Sequence, residues 1–397
     1  MRYTVNETER SVTLYNVIAE RIAATPQRRI TFAEFMALDL YHPSLGYYTA
    51  PGAKIGGKGA DFYTSPDVSP VFGQLIARQL AQCWQLMGQP ASFTIVEQGA
   101  GVGKLAADIL AELRTTQPDL YSALTYAIVE ISPDLQARQR KVLPADAPVR
   151  WYEQLAQFGP IEGVLLSNEL VDAFPVHIVV GQEGGELAEV YVTTDDANAS
   201  LPFDPDAANL REIIAAPSSP ALAEYFVRLG ITIPRDNRAE VNLAMLDWLA
   251  EIVNTLQCGY VITIDYGSTA DHLYTSRRTD GTLLCYYQHT LSGNPYARLG
   301  RQDLTAQVDF TTLQHRGEQL GLHSLGLISQ AAFLTSLGLG DILQGLPSLG
   351  LSNEQFIRQR AALLRLVEMG GLGRFNVLIQ GNGVDEAAAL AGLKFRT

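Results

Sequence analysis

Apolar positions recur along the chain with two periods. Leu14, Val17, Ile18 and Ile22 fall on one helical face over residues 12–24. Thr31 and Glu34 have the spacing of a capping box and predict a second short helix. Residues 41–70 carry little helix or strand signal. Their aromatic residues (Tyr41, Tyr47, Tyr48, Phe62, Tyr63) predict an ordered, packed loop. Ser69 and Pro70 then predict a helix start, with the helix running to about Met87. From Phe93 onward the pattern alternates. Strands are predicted at 93–98, 125–130, 163–167 and 260–265, and helices at 103–114, 133–141 and 239–256. The strands are nearly continuous apolar runs, as parallel strands covered on both faces are. Residues 176–194 read as a hairpin turning at Gly184 and Gly185, and the Pro-, Asp- and Ala-rich residues 198–238 as an insertion or cap over the sheet. Near the C-terminus the pattern predicts helices at 310–320, 331–338 and 353–368 and strands at 323–329 and 375–380.

Composition narrows the classes. The chain has 397 residues, 47% of them hydrophobic, enough for a large core. A formal net charge of -13 argues against a nucleic-acid or anionic-membrane binder. Cys83, Cys258 and Cys285 are far apart, and no Cys or His spacing suggests a metal site. The first residues lack a secretory signal pattern and no apolar run is long enough for a membrane helix, so a cytoplasmic place is expected.

The stretch "FTIVEQGAGVGKLAADIL" is a strand, a loop with Gly99, Gly101 and Gly103, and a helix. Glycine lets a ligand approach the main chain and permits positive φ. In an open α/β sheet that position is where ligands bind. Glu130 closes the next strand, where an acid can accept hydrogen bonds from ribose hydroxyls. A dinucleotide fingerprint wants G-x-G-x-x-G, and the third position here is Lys104. Glu97, ahead of the loop, suits the ammonium of S-adenosylmethionine better than a pyrophosphate. The spacing favours the methyl donor; a dinucleotide, or a glycine turn with no ligand, stays open.

Further blocks carry a resemblance over roughly residues 31–380: "HPSLGYY" from His42, "ADFYTSPDVSPVFG" from Ala60, "SNELVDAFPVH" from Ser167, "IDYG" from Ile264 and "DLTAQVDF" from Asp303. With the glycine loop, they resemble the MidA-like family of class I S-adenosylmethionine-dependent methyltransferases. Ala60, Ala100 and Lys104 depart from the family's usual residues. The resemblance implies a Rossmann-like doubly wound α/β sheet. Residues 1–90 would form a helical and loop extension closing over the cofactor. Residues 91–397 would form the methyltransferase core, with inserted cap segments near 181–238 and 268–308. It also implies S-adenosyl-L-methionine as cofactor, a protein arginine as acceptor, and a link to assembly of respiratory complex I, whose subunit would be the protein partner.

Methyl transfer to a guanidinium needs carboxylates that hold the planar cation. "LLSNELVDAFP" supplies Glu169 and Asp172 as substrate-orienting acids and Asn168 as a polar contact. The alternative is a helix N-terminus capped by Asn168. Asp265 ends a strand and would either meet substrate or cap the next segment. The resemblance places Asp61, Thr64 and Ser65 on the loop that folds over the cofactor. It gives His289 and Asp309 a part in shaping the substrate channel. Tyr47, Tyr48 and Tyr63 would line the pocket or join the core. Competing functions are a cofactor-binding assembly or interaction protein with little catalysis, a small-molecule methyltransferase, and a dinucleotide oxidoreductase.

Overall fold

The structure is a computed structural model that describes residues 7–52, 56, 63–194 and 210–395. Its main sheet has seven strands: β1 (Phe93–Gln98), β2 (Leu124–Val129), β3 (Val149–Tyr152), β4 (Ile161–Asn168), β5 (Leu256–Asp265), β6 (His323–Ser329) and β7 (Asn376–Asn382). They lie in the order β6-β7-β5-β4-β1-β2-β3. β1 pairs in parallel with β2 and β4, β2 with β3, and β4 with β5. Only β7 is reversed, antiparallel to both β5 and β6. Strand order turns back between β1 and β4, so a crevice opens beyond their carboxyl ends.

Alternate residues of each strand enter opposite cores, as the two-residue period requires. Ile95, Tyr126, Ile128, Val164, Leu166 and Ile262 pack with the helices Val71–Leu86 and Lys104–Thr116. Val96, Ala127, Val129, Leu165 and Val261 pack on the other face with the helices Leu243–Thr255 and Phe310–Gln319. Both faces are covered, which explains the unbroken apolar runs.

A second, five-stranded sheet is built from Ile30–Thr31, His177–Gly181, Leu187–Thr194, Leu210–Ala215 and Arg238–Val241. Leu14, Ile18 and Ile22 of the helix Glu7–Ala24, with Phe32 and Phe35 of the helix Phe32–Tyr41, pack against its Ile178, Val190 and Val192. The predicted capping bond of Thr31 is present, its side chain accepting from the Glu34 amide at 3.1 Å.

Three expectations need correction. The helix predicted from 239 begins at Leu243, because Arg238–Val241 pairs with His177–Val180 and Asn242 then caps the helix by accepting from the Met245 amide. The described part of 198–238 contributes the edge strand Leu210–Ala215 and the helix Ala221–Leu229 to the second sheet; it is not a cap over the main one. Strand β3 went unread because its four residues, VRWY, include a charge and show no alternation.

Candidate active site

The carboxyl ends of β1, β2 and β4 open into a cavity of about 390 Å³. Gly99, Gly101 and Gly103 follow β1 with φ of 77°, 51° and 84°. A Cβ at Gly99 would stand 2.9 Å from Leu170 Cδ1, inside contact distance. Gly103, in the left-handed conformation, starts the helix Lys104–Thr116. The first helical amides therefore face the cavity end, where a helix favours negative groups such as a ligand carboxylate.

Glu97 is 2% exposed yet reaches the cavity, and its Oε2 accepts from the Tyr126 hydroxyl at 2.6 Å. Burial pushes its carboxyl up to about 7, with the Tyr126 bond opposing. Glu130 follows β2 directly and is held by the Ser132 amide on Oε1 and by Gln139 on Oε2. It too is raised by burial to about 7, against those bonds. Ile131 next to it is 54% exposed at the cavity wall, an apolar surface for a flat ring. Glu153, Gln154 and Leu155 complete this side. They were missed because β3 was missed; a polar pair just after a strand end was the available signal.

On the other side lie Asn168, which ends β4, and Glu169. Glu169 has φ of 54°, left-handed for a residue with a side chain. Its Oε1 accepts from Asn168 Nδ2 at 3.0 Å and from the Ser65 amide at 3.3 Å. Burial, then the charge of Asp172, pushes the Glu169 carboxyl up to about 8. Asn168 Oδ1 is buried with no hydrogen-bond partner.

The positive φ stops a helix from forming here, so the alternative of an Asn168-capped helix falls. A single 3-10 turn, Val171–Ala173, follows. Asp172 does not line the cavity; its Oδ2 accepts from Thr305 Oγ1 at 2.8 Å, and burial raises it to about 6. Asp265 is not crevice-facing either. It is 0% exposed, with Oδ2 accepting from the amides of Leu170, Val171 and Asp172, and Oδ1 from Tyr266. Burial and the neighbouring Asp172 raise it.

The N-terminal segment reaches over this cavity. Tyr41 and Tyr48 stack at 5.5 Å and line it, with Tyr48 donating to Asp303 Oδ1 and Tyr41 to the Ala173 carbonyl. Gly56, Thr64 and Asp67 also line it. Thr64 Oγ1 donates to Asp67, and Ser65 Oγ to Gln330. Lys104 stands 3.8 Å from Asp67. Asp61 lies outside the described residues. Tyr47 is core, whereas Tyr63 is exposed and stacks on the exposed His289 at 5.0 Å. Asp309 shapes no cavity; it caps the helix Phe310–Gln319 and accepts from Tyr225 and Tyr274.

Among the described residues six acids (Asp67, Glu97, Glu130, Glu153, Glu169 and Glu251) and one lysine line the cavity. Such a wall repels a pyrophosphate and suits a cation. S-adenosylmethionine fits. The bare glycine loop admits it, the unpartnered Asn168 Oδ1 can take an ammonium N–H, and the acids balance its ammonium and sulfonium. Among the described residues no group of His, Cys, Asp and Glu is arranged to hold a metal, and no helix is long and apolar enough to cross a membrane.

Known proteins agree with this chemistry. Residues 75–328 match a family model described as "Putative S-adenosyl-L-methionine-dependent methyltransferase". The chain is 32% identical to the mouse mitochondrial protein arginine methyltransferase NDUFAF7, covering 78% of this chain and 71% of that one. It is 28% identical to the Drosophila melanogaster homolog, covering 89% and 82%. A Burkholderia thailandensis structure bound to S-adenosyl-homocysteine superposes with a TM-score of 0.86 at 32% identity, covering 98% of this chain and 96% of that one. With the Rossmann-like sheet, the glycine loop and the acidic cavity in place, the chain belongs to the family of S-adenosyl-L-methionine-dependent methyltransferases.

Proposed function

We propose that the chain methylates an arginine side chain of a protein. The observation that carries this is Glu169, a carboxylate held in a left-handed backbone at the cavity wall, after the strand next to the one that leads into the glycine loop. Bound in the cavity, S-adenosylmethionine supplies an electrophilic methyl group on a sulfonium. Gly99, Gly101 and Gly103 would hold its amino-acid end, with Glu97 and Asn168 Oδ1 taking the ammonium. Glu130 would take the ribose hydroxyls, and Ile131 would cover the ring. Thr64 closes the site from the N-terminal segment, and Ser65 behind it holds Glu169 through its amide.

Glu169 Oε1 is fixed by Asn168 and by the Ser65 amide. Its other oxygen is left to orient a guanidinium, whose planar fork suits a carboxylate. Oriented so, one nitrogen would be set toward the bound donor, and positioning supplies much of the acceleration. A carboxyl pushed up to about 8 can also receive the proton that leaves after transfer. Asp172 acts from behind, raising Glu169 through its charge. The relatives named as protein arginine methyltransferases support this acceptor.

We extend the proposal to segmentation, partner and place. The extension 1–90 closes over the core 91–397 through Tyr41, Tyr48 and Thr64 at the cavity, while its helix Val71–Leu86 packs on the core sheet. A subunit of an NADH dehydrogenase-type complex is the first acceptor to try, from the family resemblance. A cytoplasmic place is supported by composition alone, and the relatives are named as mitochondrial. Fractionation of cells of the source organism decides it: recovery in the soluble cytoplasm is expected, and recovery in an organelle or membrane fraction refutes it.

The function test is transfer of labelled methyl from S-adenosylmethionine to proteins in cell extract, followed by mass spectrometry of the labelled band. Methylarginine is expected, with the rate of Glu169→Gln down at least about 100-fold, in the range of a lost transition-state contact. Label only in small molecules, or no transfer despite cofactor binding, overturns the reading in favour of a small-molecule enzyme or a binding protein.

A further inference from the structure

Four consecutive amides, from Glu169 to Asp172, are taken up by two consecutive residues of β5. The Glu169 amide donates to the Ile264 carbonyl at 2.9 Å. The Leu170, Val171 and Asp172 amides converge on one oxygen of Asp265, at 3.2, 2.8 and 3.3 Å. The other oxygen accepts from the Tyr266 amide at 2.7 Å. Asp265 is itself locked, since β5 continues in register to its end with β7 on one side and β4 on the other: Asp265 opposes Asn376, and Ile264 opposes Asn168.

This arrangement decides the backbone at Glu169. A glutamate seldom adopts positive φ, because its Cβ crowds the main chain. Here β4 ends and the chain must turn at once. Three successive amides pointing at one anion form a concave turn of the kind that binds anions elsewhere, filled in this case by the protein's own carboxylate. With the amides turned inward to β5, the Glu169 side chain is left to the opposite side, and it lines the cavity while Asp265 does not.

We infer that Asp265 is a positioning residue for methyl transfer, acting through the backbone of 169–172 to aim the Glu169 carboxylate at the acceptor. This rests on the proposed role of Glu169. It takes Asp265 out of contact with substrate and gives it a task that a general structural aspartate lacks. The bonds to Asp265 reach neither the main chain of the glycine loop nor Glu130, and Asn168 keeps its place in β4 opposite Ile264, so the transfer rate falls much further than cofactor affinity.

The test uses the full chain, labelled S-adenosylmethionine and a fixed saturating amount of cell extract as acceptor. Asp265→Ala is expected to lower the maximal rate at least about 100-fold while KM for S-adenosylmethionine stays within threefold. Asp265→Asn keeps an acceptor for the three amides and sets an N–H against that of Tyr266, so a loss of about tenfold is expected. In the Glu169→Gln background, Asp265→Ala should add less than threefold, because two residues acting as one unit are not additive. If it instead lowers the rate as much in that background as in the parent, or if cofactor KM rises in step with the rate loss, Asp265 acts otherwise and the inference falls. If Asp265→Ala does not fold, Asp265→Asn and its cycle with Glu169→Gln carry the same comparison. Glu169→Gln at the parent rate would remove the Glu169 reading and this inference with it; an impaired Glu169→Gln with an additive cycle removes only the inference.

Discussion

At the residue scale the site is a set of acids kept partly protonated by burial. Glu97 and Glu130 near 7 and Glu169 near 8 lie well above the roughly 4.3 of an unfolded glutamate. Between those values the native state holds protons that the unfolded chain has lost. Their stabilisation is therefore full below about pH 4.3 and lost as pH rises through about 7 to 8. Denaturant titrations of the cofactor-free protein should show stability falling over that window, and Glu169→Gln should make the fall shallower; an unchanged slope contradicts the assignment. A bound cation favours the ionised acids, so cofactor binding near pH 7 should release protons, read by calorimetry in buffers of different ionisation enthalpy. Glu130→Ala should weaken S-adenosylmethionine by about 1–3 kcal/mol, the range for a buried hydrogen bond to a charged group. Equal affinity in the variant would remove Glu130 from the ribose.

At the element scale, the strand ends of the core and the segment carrying Tyr41 and Tyr48 meet at the cavity. The joint is made by single side chains on loops. Tyr48 packs beside Val102 and Leu135 and donates to Asp303 from the far side of the chain. Tyr48→Phe keeps the ring and removes that bond. The expected loss is roughly 1–3 kcal/mol of stability, with cofactor affinity several-fold weaker because the overlying segment is less firmly seated. Stability and affinity both at the parent level would show that the Tyr48–Asp303 bond does not couple the segment to the site. Periodicity made the six longer strands of the main sheet and most helices legible, along with the Thr31 cap. It failed at β3, and at Arg238–Val241, where the strand is too short to declare a period and its pairing with His177–Val180 outweighs the helical pattern that follows.

At the scale of the whole molecule, a ligand that binds only the native state raises its stability by about 2.7 kcal/mol at a hundredfold excess over Kd. S-adenosylmethionine should therefore raise the melting temperature and NAD should not, since among the described residues the cavity wall carries Asp67, Glu97, Glu130, Glu153, Glu169 and Glu251 against a single lysine. Stabilisation by NAD would revive the dinucleotide reading. The amino-acid order alone determined the alternation of strand and helix, the glycine loop and the acids at the strand ends, because each is a local matter of period, propensity and backbone freedom. Whether an acid faces ligand or main chain was settled only by the folded chain. Glu169 follows β4 and Asp265 ends the neighbouring β5, yet one opens on the cavity and the other is buried under three amides. That difference comes from contacts between residues nearly a hundred positions apart, which no local pattern encodes.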